Sequence, residues 1–301
     1  MSDQSKEIPE SDAKSMDDRY TCEKRRENMK LKKIVALVAA AAMALSMAAC
    51  GGADNSSSDG KDGSAKAEST SSSSDSDTLV MATNATFPPY EYVDGDEYKG
   101  IDIEIAQAIA DEMDKKLEVD DIDFDSIIPA ISTGKADLAL AGMTVTDERK
   151  ENVDFSDTYA TGVQVIIVPE DSDITGPDDL ANDKMIGVQQ GTTGHIYCSD
   201  TPEKGGFGED HVTAYPNGAS AIQALQTGKV DAVVIDNEPA KAFVAENPGL
   251  KILDTEYVTE DYAIAVKKGN TELLDQVNTI LAKLKDDGTL QSIIDKYIKA
   301  E

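Results

Sequence analysis

The chain has no tryptophan, and aromatic residues fill only 5% of its 301 positions. Without stacking surfaces it makes a poor holder of unpaired nucleic acid bases. Basic residues are scarce as well: 28 Lys and Arg stand against 58 Asp and Glu, a formal charge of −30. Such a balance repels phosphate backbones, so no nucleic acid partner is expected. Cysteine is limited to Cys22, Cys50 and Cys198, too few and too scattered for a disulfide framework or a paired-cysteine metal site. His195 lies three residues before Cys198, but two ligands do not make a metal centre. Neither a metal nor any other cofactor is expected.

Long apolar runs are missing except for one, Ile34 to Ala44, which is short for a membrane span. It follows Met29 and the basic Lys30-Leu31-Lys32-Lys33, the order of a secretory signal. Residues 1–28 before it are polar and without apolar period, read as a disordered extension with Met29 as the fitting start. Leu45-Ser46-Met47-Ala48-Ala49-Cys50 resembles a bacterial lipobox, with Met47 where Leu is usual; the alternative is an ordinary small-residue cleavage site. On the first reading 29–49 is a lipoprotein signal peptide and Cys50 is lipidated. Residues 50–77 are then a Ser/Gly/Asp tether. Residues 1–50 hold 9 Lys and Arg and 8 Asp and Glu, so 28 − 9 = 19 basic and 58 − 8 = 50 acidic residues remain, a charge of −31. The acidity belongs to the exported part.

What is present begins with Ala136 to Asp157, ADLALAGMTVTDERKENVDFSD. Asp137 to Ala141 reads as a strand buried on both faces, ended by Gly142. Thr146 before Asp147-Glu148 predicts a helix N-terminus, where an anion is favoured. Arg149 adds a planar guanidinium suited to a carboxylate. The alternative is a surface arginine on a solvated helix. A second stretch repeats the first: Ala130 to Ala141 (AISTGKADLALA) aligns without a gap to Ala224 to Ile235 (ALQTGKVDAVVI), 94 positions later. Helix end, glycine cap, lysine and strand form half of an α/β unit. Two copies predict two similar lobes. In this register Gly142 corresponds to Asp236, both just past a strand's carboxyl end, where open α/β sheets bind ligands. A carboxylate clamp in one lobe and an aspartate in the other suit a zwitterion.

The folded part is predicted to start near Thr78, with a strand over Leu79–Thr83 running into the proline-stiffened loop Asn84 to Glu91. Its Phe87 either stacks on a ligand or packs the turn. Asp94-Gly95-Asp96 marks a hairpin. Ile101, Ile105, Ile109 and Met113 predict a helix over 102–115, Val119 to Asp123 a strand, and Asp125 the cap of the next helix, with Phe124 between them facing the cleft. Gln164 to Val168 leaves the first lobe and Tyr262 to Val266 returns, two strands that would form a hinge. Gln189-Gln190-Gly191-Thr192-Thr193-Gly194 opens a helix with backbone N–H groups able to hold an anion. The Lys-Ser/Thr of a phosphate loop is replaced there by His195-Ile196, so a carboxylate is favoured.

These residues resemble the extracellular solute-binding proteins of polar amino acid ABC importers, solute-binding family 3. FPPYEY, DFDSIIPAISTGKADLALAGMTVTDERKENVDFSD, GVQQGTTG, DAVVID and DGTLQSIIDKYI occur in the family's order across about Leu79 to Ile298. The resemblance implies a two-lobed α/β fold of the type II periplasmic-binding-protein class. Lobe 1 is 78–161 plus 262–301, and lobe 2 is 162–261. It implies a monomer that closes on one amino acid and delivers it to a membrane permease and its ATPase, tethered outside the cell membrane. Carried over by position, Arg149 pairs with the ligand carboxylate, Thr144 offers its N–H and hydroxyl, and Thr193, beside Thr192, offers a lid N–H. Asp236 accepts the ammonium with the Gly142 carbonyl. Asn84, Phe87, Phe124 and Gln189 shape the side-chain pocket, Phe87 and Phe124 as a sandwich, with Glu91 supplying a charge if it turns inward. A basic or amide amino acid fits that set.

Two rival classes are an enzyme on the same fold, dehydrating a cyclic acid, and a ligand sensor. The first needs a general acid or base aimed into the cleft; Asp236 and Glu91 are the available groups, and Asp236 already has an ammonium to hold. Burial of opposite charges is tolerable only when all are matched. Arg149→Ala is therefore expected to cost about 2–5 kcal/mol of amino acid affinity, measured by titration calorimetry; near-unchanged affinity would remove the clamp.

Overall fold

The computed structural model describes residues 77–181, 183–254 and 258–299. The expectations for the extension, the signal peptide, Cys50 and most of the tether fall outside them.

Four short strands come first: β1 (Thr78–Thr83), β2 (Thr86–Phe87), β3 (Glu91–Asp94) and β4 (Glu97–Lys99). Then follow α1 (Ile101–Glu112), β5 (Lys116–Asp121), α2 (Phe124–Thr133) and β6 (Leu138–Ala139). One long strand, β7 (Val153–Pro169), leads to β8 (Ile186–Gln189), α3 (Thr193–Ser199), β9 (Val212–Tyr215), α4 (Gly218–Gln226), β10 (Ala232–Asp236), α5 (Asn237–Glu246) and β11 (Leu250–Ile252). A second long strand, β12 (Val258–Lys267), returns to α6 (Thr271–Asp286) and α7 (Thr289–Tyr297).

The main sheet has the order β5-β1-β6-β12-β7-β10-β8-β9, with β11 on β7. β5, β1 and β6 run parallel, as do β10, β8 and β9. Between the two sets lie β12 and β7, antiparallel to each other. β12 pairs with β6 and β7 with β10, so these two strands join two parallel halves. Helices cover both faces. In the first half, Ile105 and Ile109 of α1 and Val277 and Leu281 of α6 share a core with Met81 and Leu138, while Ile127 and Ile131 of α2 pack on the opposite face with Ala82 and Ala139. β7 alternates in the second half: Val165 and Ile167 join the side of α4 and α5, and Ile166 and Val168 join the side of α3 and Cys198. Period-2 alternation of apolar residues on both faces is what a sandwiched strand requires.

The internal repeat has a structural cause. Gly134 and Gly228 both end a helix at positive φ, 75° and 68°, the left-handed cap that glycine adopts at least cost. Lys135 and Lys229 donate their N–H to Ala130 and Ala224, each at 2.9 Å. Asp137 then accepts the Val80 N–H at 2.8 Å, and Asp231 accepts the Met185 N–H at 2.8 Å. Thr-Gly-Lys-x-Asp thus stops a helix and seats the next strand beside its parallel neighbour, once in each half.

Local expectations needed four corrections. No α-helix starts after Thr146. Its Oγ1 does accept the Arg149 N–H at 3.1 Å, but only one 3-10 turn, Arg149–Glu151, forms before β7 begins. No apolar period follows to bury a longer helix, so helix-dipole support for an anion is small. The buried run Leu138–Ala141 keeps only Leu138–Ala139 in the ladder, because the chain turns at Gly142. Asp123, not Asp125, stands at the N-cap of α2; Asp125 instead accepts the Gln190 amide at 2.6 Å. The helix α1 ends at Glu112, where Asp114 takes positive φ.

The expected lobe boundaries at 161/162 and 261/262 fall inside β7 and β12, near the register shifts at Tyr262/Ala263 and Ala263/Ala265. Gly162 sits there under tight packing: a Cβ would press into the Tyr262 hydroxyl and lie 2.8 Å from Asp236 Oδ1. Gly162→Ala is expected to destabilise the fold by about 1–3 kcal/mol through overpacking, read as a lower denaturant midpoint at unchanged m-value.

Candidate functional site

The carboxyl ends of parallel strands from both halves point at one cleft. From the first half come Asn84 after β1, Phe87 on β2, Glu91 on β3, Phe124 at the start of α2, and Ala141, Gly142, Thr144 and Arg149 after β6. From the second come Gln189 at the end of β8, Thr192 and Thr193 at the start of α3, and Asp236 at the end of β10. All ten residues singled out from the sequence line this single cavity, together with Glu91 and Ala141. Counting its open mouth, the cleft holds about 300 Å³ of empty space.

Arg149 is 6% exposed. Its Nη1 donates to the Thr144 carbonyl at 2.7 Å and its Nη2 to the Gly191 carbonyl at 3.1 Å. Its guanidinium carbon lies 5.3 Å from the Phe124 ring centroid, a cation–π contact. Phe124 thus spends a ring face on Arg149, which alters the expected sandwich with Phe87. Burial lowers the Arg149 pKa, and the charge of Glu260 foremost opposes that.

Asp236 receives a hydrogen bond from the Tyr262 hydroxyl and one from Gln164 Nε2 at 2.9 Å. Burial, then the Glu260 charge, raises its pKa to about 7 against these two bonds. Thr144 is placed by an antiparallel bridge to Tyr262, flanked by the Ala263 N–H to the Met143 carbonyl at 3.2 Å. Thr192 caps α3, accepting the His195 N–H at 3.3 Å and donating to the Gln189 carbonyl at 2.8 Å. His195 Nδ1 accepts the Gly191 N–H at 3.2 Å, so that ring ties the loop. Cys198 lies in the core, its thiol pushed up to about 12 by burial.

Asn84, Gln189 and Glu91 form a polar group within the cavity lining. Asn84 donates to the Ile122 carbonyl at 2.9 Å and accepts from Gln189 Nε2 at 3.0 Å, linking the two halves. Gln189 Oε1 is buried with no hydrogen-bond partner among the described residues, and the fully buried Glu91 carboxyl shares a side-chain hydrogen bond with Asp102. Burial, then the neighbouring Asp102 charge, raises Glu91 well above the usual carboxylate range. Asp102 accepts the Gly142 N–H at 2.9 Å and the Tyr159 hydroxyl at 2.8 Å. Burial still lifts it to about 6. Phe87 stacks on Tyr90 with centroids 6.1 Å apart and crowds Gly142, where a Cβ would meet its ring at 2.9 Å.

Sequence reasoning did not single out Glu260, Gln164, Asp102 or Tyr262. Glu260 and Tyr262 share one face of β12 at period 2, and Gln164 heads an apolar run; a polar residue on an otherwise apolar strand face was the available signal.

Comparison with known proteins places these features. A profile of bacterial extracellular solute-binding proteins, family 3, matches residues 79–300. The arginine-binding extracellular protein ArtP of Bacillus subtilis is 33% identical over 275 residues, covering 90% of this chain and all of that one. The solved structure of an ancestral arginine-binding protein bound to arginine is 43% identical, with TM-score 0.69 over 74% of this chain and 98% of that chain. Another, of an ancestral arginine-binding protein bound to glutamine, is 42% identical, with TM-score 0.69 over 74% and 99%. The fold is the mixed α/β, type II periplasmic-binding-protein class of these neighbours. The chain belongs to the bacterial extracellular solute-binding proteins, family 3.

Proposed function

We propose that the protein is the substrate-binding lipoprotein of an ABC importer, and that it takes a polar L-amino acid with a cationic side chain, arginine first. The observation that carries the choice is the set of buried acceptors on residues lining the cavity: the Glu91 carboxyl, whose polar neighbour is a second acid, Asp102, and Gln189 Oε1. A buried acceptor without a donor is costly, and a guanidinium or ammonium brings donors and the missing charge together. A glutamine side chain brings two N–H donors and no charge.

In this reading Arg149, Thr144 and the Thr193 N–H hold the α-carboxylate. Asp236 and the Gly142 carbonyl hold the α-ammonium, Phe87 flanks the side chain, and Glu91 with Gln189 receives its end. Asn84 acts through Gln189. The halves close on the ligand by bending β7 and β12. Cys50 carries the lipid, the tether spans from membrane to folded body, and a permease with its ATPase receives the amino acid. No histidine lines the cavity, and Glu91 and Asp236 both have ligand charges to meet, so the reading includes no catalysis. The relatives reported above are named as binding proteins.

A thermal-shift screen of the twenty amino acids tests this. A ligand at 100 times its Kd adds about 2.7 kcal/mol; arginine should give the largest shift, and no shift with any amino acid would refute the reading. Glu91→Gln should lower arginine affinity about 10- to 100-fold while sparing glutamine, since it removes a buried charge partner. Equal affinity of the variant and parent for arginine would reject Glu91 as the cation's partner.

pH supplies a separate check. In the free protein the Asp236 and Glu91 pKa values are raised, Asp236 to about 7. A bound cation favours the ionised carboxylates and lowers their pKa values, so binding releases protons. Affinity should therefore rise with pH through the range around 7 in which Asp236 ionises. Calorimetry in buffers of different ionisation enthalpy should register the released protons below pH 7; proton uptake instead would contradict the charge assignment.

A further inference from the structure

Glu260 has no part in the carboxylate clamp as described so far, yet it occupies the same donors. It lies on β12, 4% exposed. Its Oε2 accepts from the Thr144 hydroxyl at 3.2 Å, from Gln164 Nε2 at 2.9 Å and from the Thr193 hydroxyl at 2.8 Å. The two threonine hydroxyls stand 3.5 Å apart. These donors come from three places: the turn after β6, the strand β7 and the start of α3. Its charge is also the foremost influence keeping the buried guanidinium of Arg149 protonated. Tyr197 on α3 also forms a side-chain hydrogen bond with Glu260; hydroxyls, an amide and the charge of a guanidinium are the surroundings that a carboxylate anion needs.

A threonine hydroxyl has one hydrogen. While that of Thr144 points to Glu260, it cannot point to another carboxylate. We propose that Glu260 is a specificity-determining competitor built into the cleft: it takes the hydroxyl protons and part of the Arg149 field that a ligand's α-carboxylate requires, and so limits the grip on that group. The inference rests on the amino acid reading above and deepens it. An importer must release what it binds, and an internal carboxylate ready to take back the same donors provides a path for release. Position adds coupling, because Glu260 sits on one of the two strands joining the halves and gathers donors from both sides.

The test separates the carboxylate from the rest of the ligand. L-Arginine and L-argininamide share the side chain and the α-ammonium, and differ in the α-carboxylate. Glu260→Gln keeps the side-chain shape and removes the charge. In calorimetry it should tighten L-arginine about tenfold, the scale of one hydrogen bond exchanged in a buried site, and leave L-argininamide within about threefold. The ratio of the two affinities is the readout, and fold stability alone does not move it. An unchanged ratio, with both ligands weakened alike, would make Glu260 an ammonium partner or a structural tie and overturn the proposal. So would weakening of L-arginine alone. If the variant does not fold, Glu260→Asp, which draws the charge back by one methylene, should move the ratio in the same direction by a smaller factor; no movement overturns the proposal. Should the parent protein bind neither arginine ligand, the cationic reading fails by itself. L-Glutamine and its α-amide then carry the same comparison for Glu260.

Discussion

Glu91, Asp102, Asp236 and Glu260 hold four carboxyl groups out of water, and Arg149 is the one buried cation among the described residues. Removing that many acids from solvent is unfavourable, and a protein offsets it with protons, hydrogen-bond donors or a ligand's charge. The first two are visible here. Burial lifts Asp102 to about 6 and Asp236 to about 7, so both take up protons more readily than an exposed acid. The Gly142 N–H and the Tyr159 and Tyr262 hydroxyls supply donors. Glu91, which lines the cavity, has a second buried acid, Asp102, as its polar neighbour.

The strands that join the halves also furnish the site. β7 carries Gln164 and β12 carries Glu260 and Tyr262, and the Gln164 amide touches both Asp236 and Glu260. A bend in either strand therefore shifts the surroundings of Asp236 and of the Thr144 and Thr193 hydroxyls together. The close approach of Gly162 to Tyr262 and Asp236 is the packing counterpart of that arrangement. Contacts across the cleft complete it: Arg149 to the Gly191 carbonyl, Gln189 to Asn84 and Gln190 to Asp125 each tie one half to the other. Of these ties, only that between Gln190 and Asp125 is exposed, where exchange with water is easiest.

The residues by themselves determined the architecture and the anchor points. Apolar periodicity, glycine caps and the Thr-Gly-Lys-x-Asp repeat specify helix ends and strand starts within about ten residues, and such local signals survive without tertiary context. Arg149 and Asp236 were legible because each follows a buried strand at its carboxyl end. Tertiary structure alone decided the rest. It cut the helix after Thr146 to one turn, put Phe124 over Arg149 instead of leaving both faces to a ligand, and drove Glu91 inward. It also brought Glu260 to Thr144 across 116 positions and to Thr193 across 67. Apart from its place on an otherwise apolar strand face, nothing near Glu260 in the chain sets it off from the many other acids of a very acidic protein. Its role depends on which strands become neighbours, and that follows from how two halves, each unable to bury its sheet alone, share β7 and β12.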